Sequence, residues 1–494
     1  MATVSSLGIG SGLNLSSLLS SLKTAEQVPL AAIQTKQNSY TTKLTAYGQL
    51  GNALDTLQAA AAALAKPELY TSVKVSSSAT DVLTASAGAT ASNGTYALNV
   101  TQLSQAQSLA ANGVAANAPF GAGGLVELNL EFGSVSVSAN PSVFTPDGSG
   151  RNGSVSIPAG SNMAAIAKAI NANTALGATA SIINNGDPDK PSQLVLTSKQ
   201  TGETSIMRIT VSGEAANDTV LSDLLTYNPT DSANQKLTQT AAAQNAQLTI
   251  NGIVINSASN TVAGAIQDTT LSVSKIGTTT LLVKQDAESV KNAVTTFVNA
   301  YNNLQGIAKK LTAFNADSKS GAVLLGDSTL RNIQVGIRSA LTSVQAGDGG
   351  ASSLTKLSQI GVTLETDGTL AIDSAKNPVK NPAKLADVLG SNMSGVAKLF
   401  SGIGGVGGYG AQLSSLLTSY TSTTSGTLTV ATKGINTTLD VLGKQYTATS
   451  ERADANVARY KAQFTQLDVM MSRMNQTSTY LTAQLSALNN SNNK

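Results

Sequence analysis

The chain lacks three residue types that carry much of protein chemistry. Its 494 residues include no Cys, no His and no Trp. Without imidazole or thiol groups, Ser-His-Asp and Cys-His nucleophilic machinery cannot be assembled, and zinc, haem and iron-sulfur sites lose their usual ligands. We therefore expect a protein that is not an enzyme and that holds no metal or other cofactor. The absence of Cys also means that folding needs no oxidising compartment.

Charge is scarce as well. Charged residues make up 12% of the chain, about half of the ~25% usual for soluble domains, and the net charge is +3. No run rich in Lys and Arg occurs, so nucleic acid is not an expected partner. No stretch approaches 18 uninterrupted apolar residues, which predicts no membrane span. The start of the chain lacks the basic region and apolar core of a cleaved signal, so we expect any export to use an uncleaved N-terminus.

The chain does contain a seven-residue repeat of mainly apolar residues at each end. The first series continues through one three-residue stammer, and its members are Leu30, Ile33, Gln37, Tyr40, Leu44, Tyr47, Leu50, Leu54, Leu57, Ala61 and Leu64. The second series has one four-residue stutter, and its members are Leu439, Leu442, Tyr446, Thr449, Ala453, Asn456, Tyr460, Phe464, Leu467, Met471, Met474, Ser478, Leu481, Leu485 and Leu488. Both patterns predict long helices that pack against helical partners.

These end helices are not expected to be stable alone. Ordering a residue costs ~1 to 2 kcal/mol of backbone entropy, whereas a fully buried Leu or Met returns ~1.5 to 3 kcal/mol at only about two positions in seven. We therefore expect the first ~40 and last ~60 residues to be largely disordered in an isolated chain and helical against neighbouring subunits. Polar residues at the core positions Gln37, Thr449, Asn456 and Ser478 favour one register and keep these contacts exchangeable.

Between the ends, the pattern changes from helical to period two after Pro67. Strands are expected around the turns Asn93-Gly94, Asn185-Gly186 and Asn251-Gly252. Further strands are expected at 125–138, 180–183 and 194–197, and a short helix at 161–171 capped by Ser161 or Asn162. The segment from Gln247 to Ile276 repeats the order of strand, turn, helix and strand, with a polar helix-like segment expected after its turn. The pattern in the middle of the chain therefore predicts two β-rich domains, the outer one inserted into the inner one.

Helical character returns at Asp286. There the apolar residues step by fours and threes, at Val290, Val294, Phe297 or Val298, Tyr301, Leu304, Ala308 and Leu311. This helix is expected to pack on the N-terminal one. A helix over 324–341 with Asp327 or Ser328 as its cap, a hairpin over 362–372 turning at Asp367-Gly368, and a short helix ending at Phe400 follow.

Three motifs admit a functional reading. Gly405, Gly407 and Gly410 satisfy the dinucleotide pattern GxGxxG, but the run follows a helix instead of a strand, which favours an inter-helix linker. Asp187 and Asp189 lack the rest of a calcium loop, which favours a solvated turn. Met470, Met471 and Met474 form either ordinary seam packing or an adaptable surface for successive partners.

Several blocks in order resemble the bacterial flagellar filament cap family, also called hook-associated protein 2. They are LGIGSGLNLSSLLSSL from Leu7, AEQVPL from Ala25, GTYALNVTQL from Gly94, DAESVKNAVTTFVNAYNNL from Asp286, LLGDSTLRNIQ from Leu324, LSQIGVTLETDGTLAID from Leu357 and YKAQFTQLDVMMSRMNQTSTYLTAQL from Tyr460. The segment from Ile157 to Gly202 is similar to a small module found in several flagellar axial proteins.

The resemblance implies an α+β multidomain fold, with long terminal helices in a coiled-coil-like stalk, a helical leg domain and two β-rich domains in the middle. We expect the terminal domain at 1–40 and 431–494, the leg domain at 41–70 plus 277–430, the inner β-rich domain at 71–120 plus 235–276, and the outer one at 121–234. It also implies a homo-oligomeric ring at the distal tip of the extracellular flagellum. The implied partners are flagellin, the hook-filament junction proteins, the flagellar export apparatus and an export chaperone that holds the C-terminal helix.

Two sets of contact residues are expected on this basis. The candidates for oligomer or filament contacts are Leu15, Leu18, Leu22, Leu30, Ile33, Tyr40, Leu467, Met471, Met474, Leu481 and Leu485. The candidates for chaperone binding are Phe464, Leu467, Met470, Met471 and Met474. Two alternative functions stay open, namely another flagellar axial component such as a junction protein, and an adhesin that binds glycans through the outer β-rich domain.

Overall fold

The computed structural model describes residues 7–9, 12–120, 124–136, 141–215, 220–347, 350, 353–375, 384–404 and 407–491. The helices are α1 Leu15–Leu64, α2 Glu68–Thr71, α3 Met163–Ala172, α4 Ser222–Leu225, α5 Ala287–Thr312, α6 Ser328–Thr342, α7 Leu385–Ser391, α8 Met393–Ser401, α9 Tyr409–Thr421 and α10 Thr427–Ser491. Within these ranges no helix is long and apolar enough to cross a membrane.

The strands lie mainly in the middle of the chain. They are β1 Val73–Ser77, β2 Leu83–Ala87, β3 Gly94–Gln102, β4 Ser108–Ala110, β5 Val126–Ser136, β6 Val143–Pro146, β7 Gly153–Ile157, β8 Ala178–Asn184, β9 Ser192–Ser198, β10 Ile206–Ser212, β11 Thr238–Ala241, β12 Ala246–Ile250, β13 Ile253–Ser257, β14 Thr261–Ile266, β15 Thr269–Val273, β16 Gly277–Gln285, β17 Phe314–Asn315, β18 Ser320–Gly321, β19 Val362–Leu364 and β20 Leu370–Ile372. The predicted fold class, long terminal helices around β-rich domains, is confirmed.

The chain forms two compact units. The helical unit comprises Met1–Tyr70 and Ala287–Lys494, and the β unit comprises Thr71–Asp286. One hydrophobic core joins the second half of α1 to α5, α6, α8 and α9 in the helical unit. The heptad positions from Tyr47 to Leu64 are buried in it, as the sequence predicted, and α5 packs on α1.

Local signals in the helical unit were accurate. Asp327 is the N-cap of α6, and its side chain accepts a hydrogen bond from the Leu330 amide at 3.0 Å. Strands β19 and β20 form the expected hairpin, with the positive φ of 87° at Gly368 that this turn requires. The first helix extends beyond the heptad series towards the N-terminus, because it starts at Leu15 and runs through Pro29, with Asn14 capping the Ser17 amide at 3.2 Å.

The inner part of the β unit has one core between two antiparallel sheets. The five-stranded sheet has the order β1-β16-β3-β12-β13, and the three-stranded sheet has the order β14-β15-β2. Strands β12 and β13 form the predicted hairpin at Asn251 and Gly252, whose φ values of 51° and 85° suit a type I′ turn. The prediction of a polar helix-like segment after this turn is wrong, because β14 and β15 pair there as a second hairpin.

The outer part has a second core, which α3 closes. Strand β5 pairs with β10 along one edge and with β7 and β6 along the other, and a second sheet has the order β11-β4-β9-β8. Asn162, one of the two predicted caps, accepts a hydrogen bond from the Ala165 amide at 2.9 Å and starts α3. Met163, Ile166 and Ile170 are buried in the core, as their spacing predicted.

Strand pairing corrects three of the expected boundaries. Residues 277–285 were assigned to the leg domain, but β16 lies between β1 and β3 in the inner sheet. Its burial alternates along the strand, with Thr279, Leu281 and Val283 buried and Thr278 and Thr280 exposed, a strand pattern that precedes the helix at Ala287. Strands β4 and β11 were assigned to the inner domain, yet they belong to the outer four-stranded sheet. The five-part division as a whole stays a prediction.

The inner and outer parts of the β unit are in direct contact beside the two chain crossings. Gln105 and Gln244 exchange backbone hydrogen bonds of 2.9 and 3.1 Å at the crossings. Beside them, Gly202 lies so close to Ala258 that an added Cβ would be 2.6 Å from the Cβ of Ala258. The Glu203 amide also donates to Asn245 Oδ1 at 3.0 Å. The contacts of Gly202 and Glu203 therefore hold the outer part against the inner part in addition to the two chain crossings.

Candidate assembly surfaces on the terminal helices

The two terminal helices pair antiparallel within one chain. Near the end of α1, the backbone at Gly51 lies close to Leu428, because a Cβ there would be 3.2 Å from Leu428 Cδ2. Towards the start of α1, Glu26 accepts a hydrogen bond of 3.0 Å from Asn456. The expectation that both ends lack a helical partner until another subunit arrives therefore needs correction over this stretch, because each helix covers part of the other.

The longer helix continues past the end of the shorter one. From Glu26, α1 extends only to Leu15, a length of about 16 Å at ~1.5 Å per residue, whereas α10 extends from Asn456 to Ser491, about 52 Å. Roughly the last 35 Å of α10 therefore has no α1 beside it. The apolar series on α10 does not stop where α1 stops, so an apolar stripe continues along an unpaired helix.

The predicted contact residues on α1 are largely covered. Leu15 is buried, and Leu22, Leu30, Ile33 and Tyr40 are half-buried, while Leu18 is exposed. Tyr40 packs against the core of the helical unit, so its ring makes a contact within its own chain. The sequence could not separate such intrachain contacts from intersubunit ones, because both use the same apolar spacing.

The predicted contact residues on α10 have a different environment. Phe464 and Met471 are half-buried, whereas Leu467, Met470, Met474, Leu481 and Leu485 are exposed, with 68% of Met470 and 64% of Leu485 accessible to solvent. Leu488 is 62% exposed at the next heptad position. We define the C-terminal stripe as Phe464, Leu467, Met470, Met471, Met474, Leu481, Leu485 and Leu488. Apart from Ser478, the heptad positions of this segment are apolar, and monomeric proteins do not ordinarily expose an apolar row of this length.

The polar residues at the core positions of the two heptad series also differ in burial. Gln37, Thr449 and Asn456 are half-buried, whereas Ser478 is exposed on the unpaired part of α10. Asn456 is held from two sides, since its amide donates to Glu26 and its Oδ1 accepts a hydrogen bond of 3.0 Å from Arg459. Such a group at a helix seam matches only one register of the two helices.

One cluster in the helical unit was not anticipated from the sequence. The Asp327 carboxylate lies 2.8 Å from Lys43 Nζ and accepts a hydrogen bond of 2.7 Å from the Tyr47 hydroxyl. Burial alone would raise the pKa of Asp327, but hydrogen bonds from Lys43, the Leu330 amide and Tyr47 hold this pKa below its usual value. The hydrogen bond to Asp327 raises the pKa of Lys43. Residues so far apart in sequence give no local signal of their pairing.

The glycine and aspartate motifs fit their simpler readings. Gly407 and Gly408 lie between α8 and α9 and Gly410 lies in the first turn of α9, with the Gly408 amide donating to Gln345 Oε1 at 3.0 Å. Gly405 lies outside the described residues. Asp187 accepts hydrogen bonds from the amides of Asp189 and Lys190 in a solvent-exposed turn. Over the described ranges, no three Asp or Glu residues come close enough to hold a metal ion.

Three family models match parts of this chain. The family model described as "Flagellar hook-associated protein 2 N-terminus" matches residues 11–107, "Flagellar hook-associated protein 2 C-terminus" matches residues 243–476, and "Flagellin hook IN motif" matches residues 147–200. The third match overlaps most of the small module that the sequence resembled between Ile157 and Gly202.

Full-length relatives agree with the family models. The chain is 39% identical to flagellar hook-associated protein 2 of Escherichia coli strain K12, with 100% of both chains covered. It is 38% identical to the protein of the same name from Salmonella typhimurium, with 99% of this chain and 100% of the relative covered. The solved D1-D2-D3 domains of the Escherichia coli flagellar cap protein FliD align with a TM-score of 0.60 and 34% identity, covering 79% of this chain and 99% of that one. The chain belongs to the flagellar hook-associated protein 2 family, that of the flagellar cap proteins.

Proposed function

We propose that this protein is the non-enzymatic cap of a bacterial flagellar filament. Several copies form a ring at the distal tip, outside the cell, after export without a cleaved signal peptide. The ring retains flagellin subunits that arrive at the tip and promotes their folding and insertion as the filament grows. Before the filament grows, the ring also contacts the hook-filament junction proteins, on which the first flagellin subunits are added. Family membership supports the cap assignment, and the terminal helices suggest how the ring is held.

The observation that carries the proposal is the C-terminal stripe, most of which lies on the unpaired part of α10. The stripe continues the heptad series that packs against α1 earlier in the same helix. A helix with one such face gains stability by packing that face against another helix. Neighbouring subunits of a ring, and the subunits of the filament below it, can supply those helices.

The size of the stripe suits contacts that form and break repeatedly. Each fully buried Leu or Met side chain contributes roughly 1.5 to 3 kcal/mol, and ordering residues costs ~1 to 2 kcal/mol each. For a helix with one apolar residue in every three or four, the ordering cost exceeds what burial of one such face returns. Such contacts would be stable only in a multivalent assembly, and a single one could be released when a new subunit is inserted.

The same stripe supports a second partner before export. Met470, Met471 and Met474 give its first part flexible, polarizable side chains, which can adapt to partners of different shape. An export chaperone that covers these residues in the cytoplasm would prevent premature ring formation and then leave the stripe free at the tip. We therefore propose that the chaperone and the ring contacts use overlapping residues.

The first experiment places charge on the stripe. In a strain that lacks the cap gene, the double variant Leu481→Lys and Leu485→Lys is compared with Ala483→Lys and Ala487→Lys, which put the same charges on the opposite side of α10. We expect the first variant to lose oligomers in sedimentation and to release unpolymerised flagellin into the medium, and the second to behave as the native chain. Normal filaments and oligomers with the first variant would refute the proposed role of the stripe.

The chaperone proposal is tested separately on the purified full chain. The double variant Met470→Gln and Met474→Gln is compared with Val469→Gln, whose side chain is also exposed but points away from the stripe. We expect at least a roughly tenfold weaker affinity for the export chaperone in the double variant only, equivalent to about 1.4 kcal/mol. Unchanged affinity in the double variant would remove the shared-surface proposal and leave the cap assignment intact.

A further inference from the structure

Strand β13 is an edge of the five-stranded inner sheet. It pairs with β12 on one side, and among the residues that the structure describes no strand pairs with its other side. Because Ile250 and Ile253 flank the two-residue turn, they form a hydrogen-bonded pair, and hydrogen-bonded pairs then alternate along the hairpin. The backbone groups of Ile253, Ile255 and Ser257 therefore point to β12, and those of Val254 and Asn256 point outward. Within the described residues, no hydrogen bond joins these outward groups to the rest of the chain.

This edge has none of the features that ordinarily prevent strand pairing. Natural edge strands carry Lys, Pro, a bulge or a covering loop, whereas β13 reads Ile-Val-Ile-Asn-Ser and pairs with β12 without a register shift. Ile253 is 68% exposed and Val254 is 67% exposed, although they lie on opposite faces of the sheet. The strand is thus open to solvent at its edge and on both faces.

The surroundings of the edge are uncharged. The sequence contains no Asp, Glu, Lys or Arg between Asp81 and Glu127, or between Lys236 and Asp268. Strands β3, β12 and β13 fall entirely within these two spans. The three strands at this side of the sheet contain only uncharged residues, so strands of a second identical sheet that paired here would bring no like charge.

We propose that β13 pairs antiparallel with β13 of a second copy of this chain, across a two-fold axis at Ile255. In this register Val254 lies opposite Asn256 of the mate, and Ile255 lies opposite Ile255 of the mate. The backbone N–H and C=O groups of Val254 and Asn256 point outward in each copy. The two symmetry-related pairs of Val254 with Asn256 of the mate join all of these groups in four hydrogen bonds. The two inner sheets become one continuous sheet.

The side chains are also complementary in this arrangement. Ile255 packs partly against the inner core of its own chain, on the same face as Leu248 and Ile250. Pairing extends that core across the two-fold axis, because Ile255 of the two copies come together there and Ile253 lies beside them. The contact is isologous and closes after two copies, so it does not depend on the terminal-helix contacts proposed above.

A single cysteine tests the register, since the native chain contains none. Residues directly opposite in a non-hydrogen-bonded antiparallel pair have Cα atoms about 4.5 Å apart, within the range of a disulfide. The variant Ile255→Cys is therefore expected to form a disulfide-linked dimer under mild oxidation. In the control Val254→Cys, the same residue of the mate is roughly 9 Å away, too far for a disulfide. We expect about tenfold more cross-linked dimer from Ile255→Cys.

Amide exchange on the unmodified full chain gives an independent readout. We expect the amides of Val254 and Asn256 to become protected as concentration rises, and Val254→Lys to abolish this protection, whereas Asn99→Lys on the central strand β3 leaves it unchanged. Terminal-helix contacts alone would not protect these two amides. Equal cross-linking of both cysteine variants, or exchange at Val254 that is the same at every concentration, would overturn the proposal. Protection that is already complete in a verified monomer would show that the chain covers its own edge, and would overturn it as well.

Discussion

Asn456 donates a hydrogen bond of 3.0 Å to Glu26, which joins two residues 430 positions apart in the sequence. This contact sets the antiparallel register of the first and last helices, and the Tyr460 hydroxyl lies 3.5 Å from the same carboxylate. A polar contact in an otherwise apolar seam lowers the affinity between helices and selects one alignment. The seam therefore positions the start of the unpaired part of α10, where the C-terminal stripe begins.

The first prediction concerns this polar contact. Replacing Asn456 and Ser478 with Leu should tighten helix packing, because apolar side chains at these seam positions stabilise helix pairs more than polar ones. We expect slower amide exchange over 445–465, longer-lived oligomers and slower filament growth. Asn475→Leu, at an exposed position outside the stripe, is the control. Unchanged growth and oligomer lifetime in the Leu double variant would count against the idea that polar seam residues keep the contacts exchangeable.

The second prediction concerns pH and the pair of Lys43 and Asp327. Because the pKa of Asp327 is lowered in the folded protein, its stabilising contribution is present above the unfolded value of ~3.9 and is lost as pH falls through the lower folded pKa. We expect the free energy of unfolding of the native chain to fall in this acid range. Asp327→Asn should lower this free energy by roughly 1 to 3 kcal/mol at neutral pH and flatten the acid dependence.

The control for that prediction is Asp440→Asn. Asp440 also lies 2.8 Å from a lysine, Lys444, but 62% of the Asp440 side chain is exposed, against 6% for Asp327. An exposed pair contributes little to stability. Denaturant unfolding at several pH values measures both variants, and equal losses in the two would show that burial of the Asp327 carboxylate is not what makes the pair stabilising.

The third prediction concerns Gly202, where the outer part of the β unit meets the inner part. Gly202 has φ of 99°, and a side chain there would press on Ala258. Gly202→Ala should cost about 1 to 3 kcal/mol for a backbone conformation, φ 99° and ψ 157°, that is nearly confined to glycine, and about 1 to 3 kcal/mol more for overpacking. Gly264→Ala is the control for a positive φ without overpacking, because Gly264 has φ of 77° and no neighbour within 4 Å. If the two variants unfold alike, Gly202 does not hold the two parts together.

Local sequence signals predicted much of this structure. The caps Asp327 and Asn162 and the turn at Asn251 and Gly252 were found because each relies on neighbours within a few residues. Strand β16 was placed in the wrong domain because its partners, β1 and β3, lie roughly 200 residues earlier in the chain. Its run of β-branched and apolar residues, Thr278 to Val283, was the signal that could have identified it.

The candidate contact residues show the same limit. Tyr40 and Leu485 both occupy core positions of their heptad series, yet Tyr40 packs within its own chain and Leu485 is exposed. Apolar spacing predicts that a face is buried, but it does not say by what. The difference depends on the unequal lengths of α1 and α10 and on their register, and that register depends on Glu26 and Asn456.

The central claim is that sister molecules cover the unpaired apolar face of α10, and amide exchange of the full-length chain over 472–488 measures this directly. We predict fast exchange over these residues in a verified monomer, and strong protection once the chain is assembled or bound at filament ends. Strong protection in the monomer, or fast exchange in the assembled form, would contradict the claim.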